Sequence, residues 1–181
     1  LLHYVQSVSG YVTNEGIETI SELLEIETAE VSAVATFYTQ YKRKPVGEYH
    51  VGVCTNTLCA VMGGDAIFAA LKDHLGVEND GVTADGKVSL EHIECNAACD
   101  YAPVVMANWE FYDNQTVESA KALVDGARAG NPPAPTRGPN RLVTYKEASA
   151  VLAGLDDGLA REGVQAGEAT LLGLKLSKEG K

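Results

Sequence analysis

Basic side chains are scarce in this sequence. There are 14 lysines and arginines against 25 aspartates and glutamates, a net charge of -11, and such a surface repels phosphate backbones and anionic headgroups. Nucleic acid is therefore excluded as a partner. Long apolar runs are also missing: no stretch approaches the roughly eighteen residues that would argue for a spanning helix, and nothing resembles a secretory signal. Direct membrane insertion is not expected. There is no phosphate-cradling glycine loop and no serine nucleophile elbow, and Gly63-Gly64 lacks the rest of a dinucleotide fingerprint. Close packing of a helix start explains that pair better. The chain opens on Leu1 rather than methionine, so a preceding segment, with any targeting signal, is expected to lie outside it.

Cysteine is sparse as well, but its few copies are clustered. All four fall into two tight pairs, Cys54-x4-Cys59 and Cys95-x3-Cys99. A loop carrying two thiolates three to five residues apart can turn both sulfurs toward one metal, and a 2Fe-2S cluster needs two thiolates on each iron. The two pairs would then cap opposite irons. Structural zinc favours Cys-x2-Cys knuckles, and a dithiol redox enzyme wants Cys-x-x-Cys at a helix start; neither spacing occurs. Four unrelated buried thiols would be the bland alternative, since free cysteine packs like a small hydrophobe, and their clustering argues against it. Thiolates kept for a metal fit a reducing cytosol. The four histidines, His3, His50, His74 and His92, are scattered, and a surface or satisfied core role is expected for each.

At 181 residues with 45% hydrophobic side chains, one domain with attachments is expected. Residues 1–46 form a helical region. Thr13 or Asn14 can cap a helix with Ile17, Ile20, Leu23 and Leu24 on one face, and Thr28 can cap another with Val31, Val34 and Ala35 turned inward. Lys42-Arg43-Lys44-Pro45 ends the region. From Glu48 the pattern becomes strand, helix, strand: Tyr49 to Val53 leads into Cys54, Val61 to Leu75 carries Ile67, Leu71 and Leu75 at helical spacing, and Val88 to Ile93 alternates before Cys95. Val104 to Ala107 and Glu110 to Tyr112 suggest a closing hairpin, and Glu118 to Ala129 a final helix. Periodicity alone supports an α/β domain over 47–130.

Residues 131–181 differ in character. Asn131 to Pro139 holds four of the six prolines and has the composition of an extended linker. Thr144-x-x-Glu147 is a capping box for a short helix to about Leu155. The glycine-rich tail from Asp156 suits either a disordered end or, because Ala169 to Leu174 is apolar, a segment docked on a partner.

Around the cysteines the sequence resembles a known family. Ala35-Thr36-Phe37-Tyr38-Thr39-Gln40-Tyr41, Gly52-Val53-Cys54 leading to Cys59, Thr83-x-Asp85-Gly86, and Glu94-Cys95-x3-Cys99-x2-Ala102-Pro103-Val104-Val105 match in order the thioredoxin-like 2Fe-2S subunit of the peripheral arm of respiratory complex I. The match runs from about Leu1 to about Gly130. The resemblance implies an N-terminal helical segment, a thioredoxin-like 2Fe-2S ferredoxin domain and a C-terminal extension. It also implies Cys54, Cys59, Cys95 and Cys99 as cluster ligands, with FMN and NADH on a larger partner subunit and other peripheral-arm subunits nearby. The cluster would be a side reservoir for electrons from the flavin. The place implied is the cytoplasmic side of the plasma membrane, or the matrix side in mitochondria. Related subunits serve NAD-linked hydrogenases and formate dehydrogenases, and a zinc-stabilised adaptor is the alternative of another class. Many relatives carry Leu-Gly-Ala between the last two ligands, where this chain has Asn96-Ala97-Ala98. Ala97 is then either in an ordinary conformation or strained. Asn96 either donates to a sulfur or faces solvent and the loop backbone.

Overall fold

A computed structural model describes residues 1–180. The chain starts with three helices, α1 (Leu2–Ser9), α2 (Asn14–Leu24) and α3 (Thr28–Phe37). Strand β1 (Tyr49–Cys54) follows, then α4 (Thr57–Val61), α5 (Gly64–Leu75), β2 (Gly81–Val82) and β3 (Val88–Ile93). A 3-10 turn (Cys99–Tyr101) leads to the hairpin β4 (Val105–Ala107) and β5 (Glu110–Tyr112), and α6 (Val117–Arg128), α7 (Tyr145–Leu152) and α8 (Glu168–Lys178) complete the chain.

The five strands form one mixed sheet in the order β2-β3-β1-β4-β5. Only β1 and β3 run parallel, with Tyr49 opposite Val88 and Cys54 opposite Ile93. Parallel neighbours need a crossover, and α4 with α5 supplies it. Period-two alternation then divides the sheet's two faces. Val51, Val53, Val88, Leu90, Val105 and Ala107 point to one side, where Ile67 and Leu71 of α5 and Leu123 and Val124 of α6 close the main core. The opposite side carries His50, Gly52 and Cys54 on β1, and Ser89 and Glu91 on β3.

That second face is covered by the N-terminal helical region and by α7. Gln6, fully buried, donates to the Gln40 carbonyl at 3.2 Å and accepts from the Lys42 amide at 2.8 Å, pinning the end of the helical region to α1. Lys42 reaches Glu91 at 2.5 Å, and Glu91 also meets His50 Nε2 at 2.7 Å. Helix α7 packs along α1, with Gln6 3.4 Å from Ser149 Oγ and the Lys146 ammonium on the Val8 carbonyl at 2.7 Å. Its capping box is present: Thr144 and Glu147 satisfy each other's backbone amides.

Several expectations shift in detail. The cap of α2 is Thr13, whose hydroxyl accepts from Gly16, but α3 starts one residue earlier than Thr28 predicts, with a Glu27–Glu30 capping box. Ile17, Ile20, Val31 and Ala35 are buried, whereas Leu23, Leu24 and Val34 are exposed, because no element covers the outer edge of the α2–α3 hairpin. The proline segment runs beside β5, where the Thr136 amide donates to the Phe111 carbonyl at 2.8 Å and Arg137 pairs with Asp113 at 2.8 Å.

Candidate metal centre

The parallel register of β1 and β3 creates the site. Cys54 ends β1, Ile93 opposite it ends β3, and Cys95 follows two residues later. Both cysteine pairs therefore emerge at the carboxyl ends of adjacent parallel strands, the usual place for a site in an α/β sheet. Cys54 and Cys59 are buried, while Cys95 and Cys99 are exposed. Cys59 lies on α4, against Cys54 and within electrostatic reach of Cys99; Cys99 in turn senses both Cys95 and Cys54. The Cys95 and Cys99 sulfurs are 4.0 Å apart. Ala98, Ala102 and Val104 join the buried thiols in a small apolar cluster, with Ile93 and Phe111 packed on it.

Glycine makes the approach of α5 possible. A Cβ on Gly64 would sit 2.5 Å from the Cys54 carbonyl oxygen and 2.9 Å from that of Cys59, so only a glycine lets the helix start close over the loop. Gly63 beside it has φ +112°, in the left-handed region that glycine favours.

Burial pushes the Cys59 thiol up to about 11; a backbone hydrogen bond from Val104 opposes this, and the neighbouring Cys54 and Cys99 thiols add to it. The Cys99 thiol is raised by its hydrogen bond to Cys95 and by repulsion from the other sulfurs. Thiols raised in this way, as Cys59 and Cys99 are, ionise more readily when a cation shares the site. The sulfurs stand as two pairs. Among the described residues, no three or more His, Cys, Asp or Glu side chains are gathered as a single ion would gather them. Two irons with two thiolates each suit two pairs.

Donors toward sulfur come from three places. The Val104 amide faces Cys59, the Ala97 amide lies 3.4 Å from Cys95 Sγ, and the Asn56 side-chain amide lies 3.9 Å from Cys54 Sγ. Ala97 adopts φ +54°, so the strained alternative holds at that position. Asn96 does not face solvent: its Nδ2 is buried and has no hydrogen-bond partner among the described residues. Asn56 is the residue that the spacing of the cysteines could not single out, because only the pairing of β1 with β3 brings Ile93 to it.

The tail reaches the site too. Thr170 donates to Asp100 at 2.5 Å, and the Ala169 amide donates to the Tyr101 hydroxyl at 3.0 Å, anchoring the start of α8 one and two residues beyond Cys99. Each histidine has a local role instead. His50 is buried on Ser89 and Glu91, His74 pairs with Asp125, His3 lies tilted against Tyr41, and His92 meets Phe68 edge-on.

Comparison with known proteins gives the family and the fold. A family profile described as thioredoxin-like [2Fe-2S] ferredoxin matches residues 1–128. The chain is 58% identical over 180 residues to an NADH-quinone oxidoreductase subunit of Mycobacterium tuberculosis (strain ATCC 25618 / H37Rv), covering 99% of this chain and 71% of that protein. It is 35% identical over 124 residues to the NADP-reducing hydrogenase subunit HndA of Solidesulfovibrio fructosivorans, covering 68% of this chain and 72% of that one. Among solved structures, an air-oxidized NAD+-reducing [NiFe]-hydrogenase superposes with a TM-score of 0.59 at 19% identity, over 65% of this chain but only 21% of the hydrogenase chain. That likeness is one of fold.

Proposed function

The chain belongs to the thioredoxin-like [2Fe-2S] ferredoxin family, and from that premise we propose that Cys54, Cys59, Cys95 and Cys99 hold its cluster and that it is the electron-transfer subunit of an NADH-quinone oxidoreductase. The observation that carries the ligand assignment is the β1–β3 register, which brings both thiol pairs to one end of the sheet. The 58% identity, which extends through the C-terminal extension, supports the assembly. The fit of the site rests on its donor set: four thiols in two pairs, an apolar floor and N–H groups directed at sulfur.

When bound, the cluster accepts and returns single electrons. The chain's own residues set the conditions for that exchange. Cys54 and Cys59, buried against Val104 and Ala98, exclude water from one side. Cys95 and Cys99 face outward, and exposed Leu58, Val61 and Met62 lie on and beside the helix that carries Cys59. That apolar rim supports docking of a partner that holds the flavin and NADH, for which this sequence has no motif of its own. Electrons cross such an interface without any covalent chemistry by this chain. A second reading, the corresponding subunit of an NAD(P)-linked hydrogenase, is favoured by the 35% identity to HndA; the partner would differ and the site would not. Because no helix of the described residues is long and apolar enough to span a membrane, attachment to a membrane complex would be through other subunits, on the side that faces the reduced nicotinamide pool.

The test is spectroscopic. Reconstituted protein reduced with dithionite should give the EPR signal of a reduced 2Fe-2S cluster, and Cys95→Ser should change or abolish it. An unaltered signal in that variant would overturn the ligand assignment, and a colourless protein binding one zinc would overturn the cofactor.

A further inference from the structure

We propose that Asn56 is a positioning residue that sets the reduction potential of the cluster, an inference that rests on the four-cysteine reading above. Asn56 occupies the N-cap position of α4, where an asparagine side chain ordinarily accepts a hydrogen bond from the helix's first free amides. Here it makes no such bond. Its amide nitrogen turns away, 3.3 Å from the carbonyl oxygen of Ile93 and 3.9 Å from Cys54 Sγ. One NH2 group thus touches the sulfur that ends β1 and the last residue of β3, two positions before Cys95.

Giving up the cap interaction leaves helix amides without that partner, which costs helix stability. What the chain gains is a brace between the two loops and a donor at a sulfur. A carbonyl accepts one of the amide's two hydrogens, and the other is free for the thiolate. An N–H dipole at a thiolate stabilises the more negative, reduced cluster. Val104 and Ala97 serve Cys59 and Cys95 with backbone amides, which no substitution of a side chain removes. Cys54 depends on a side chain, so its contribution can be deleted.

The deletion to make is Asn56→Leu in the full chain with its cluster, which keeps the volume and removes both hydrogens. The expected result is a roughly fivefold less favourable reduction, read in an EPR-monitored redox titration as a midpoint about 40 mV lower by the one-electron relation. Loss of the Ile93 brace alone would lower thermal stability and leave the midpoint where it was. A fully loaded variant with an unchanged midpoint therefore overturns the proposal. If Asn56→Leu does not retain its cluster, the decision passes to protein labelled with [15N]asparagine, in an Asn96→Leu background that removes the neighbouring amide. Pulsed EPR of its reduced state should show a 15N coupling, and its absence also overturns the proposal. A wild-type chain that forms no 2Fe-2S signal at all would instead refute the cysteine assignment, so the two failures are distinguishable.

Discussion

Ala97 holds a backbone conformation that costs an L-residue about 1 kcal/mol, and it does so between two sulfurs. The left-handed turn aims its own N–H at Cys95, so the strain is tied to a donor at the site. Ala97→Gly should relieve part of that cost. We expect the thermal midpoint of the loaded protein to rise, by an amount equivalent to up to about 1 kcal/mol, with an unchanged EPR line shape; a fall in midpoint would contradict the strain. Gly64 makes the opposite case. An alanine there must displace the backbone of Cys54 or Cys59, because the atoms it meets are carbonyl oxygens rather than flexible side-chain ends. Gly64→Ala should destabilise by about 1–3 kcal/mol, and its visible absorbance should fade faster than wild type under iron chelation. The residue scale is also where the sequence was most legible: two cysteine spacings suffice to suggest two irons. The role of Asn56 and the orphaned amide of Asn96 were not legible, because each depends on which strand lies alongside.

Among the elements, the polar face of the sheet is the joint between the helical region and the strands. His50, 4% exposed, contacts Ser89 and Glu91 and has the rings of Trp109 and Tyr145 around it; Lys42 and the more distant Asp80 complete the charges it feels. Burial holds its pKa below 6.5, against the pull of Glu91. For Glu91 burial acts upward, but the hydrogen bonds from His50 and Lys42 prevail and its pKa lies below 4.5. The signs agree. Below pH 6.5 the unfolded chain takes up a histidine proton that the fold refuses, and below 4.5 it takes up a carboxylate proton that the fold also refuses, so stability falls on acidification through both windows. Urea midpoints should decline from pH 7 to 4, and His50→Gln should flatten the upper part of the decline; an equal slope in the variant would place the effect elsewhere. Caps and alternation made α2, α6, α7, β1, β3 and the β4–β5 hairpin readable. Three were not: α4 is five residues long and puts Cys59 on a helix where a loop was expected, β2 is only two residues long and pairs with β3 through Gly81 and Val82, and α8 has no buried residue to give it a stripe. The packing of α7 on α1 depends on Gln6, a polar residue that no periodicity would select for the core.

At the scale of the whole molecule, exposed apolar side chains gather in three places: Leu23, Leu24, Val34 and Phe37 on the helical region, Leu58, Val61 and Met62 beside the sulfurs, and Leu171, Leu172, Leu174 and Leu176 on α8. A monomer has little reason to expose that much, and the flavin-bearing partner proposed above would cover part of it. The isolated chain should therefore carry electrons but not generate them from nicotinamide. Purified alone with its cluster, it should show no NADH-dependent reduction of ferricyanide; turnover by this polypeptide would contradict the reading.

The alignment of β1 with β3 has one more consequence. Side chains alternate across a strand, so pairing these two one residue out of step would turn Ser89 and Glu91 toward the apolar core and lift Leu90 out of it. The same slip would carry Cys95 away from its partners on the neighbouring strand. A misaligned chain could then neither bury its core nor assemble four sulfurs, and iron would be captured only by chains that had paired correctly. Colour would then report correct strand pairing.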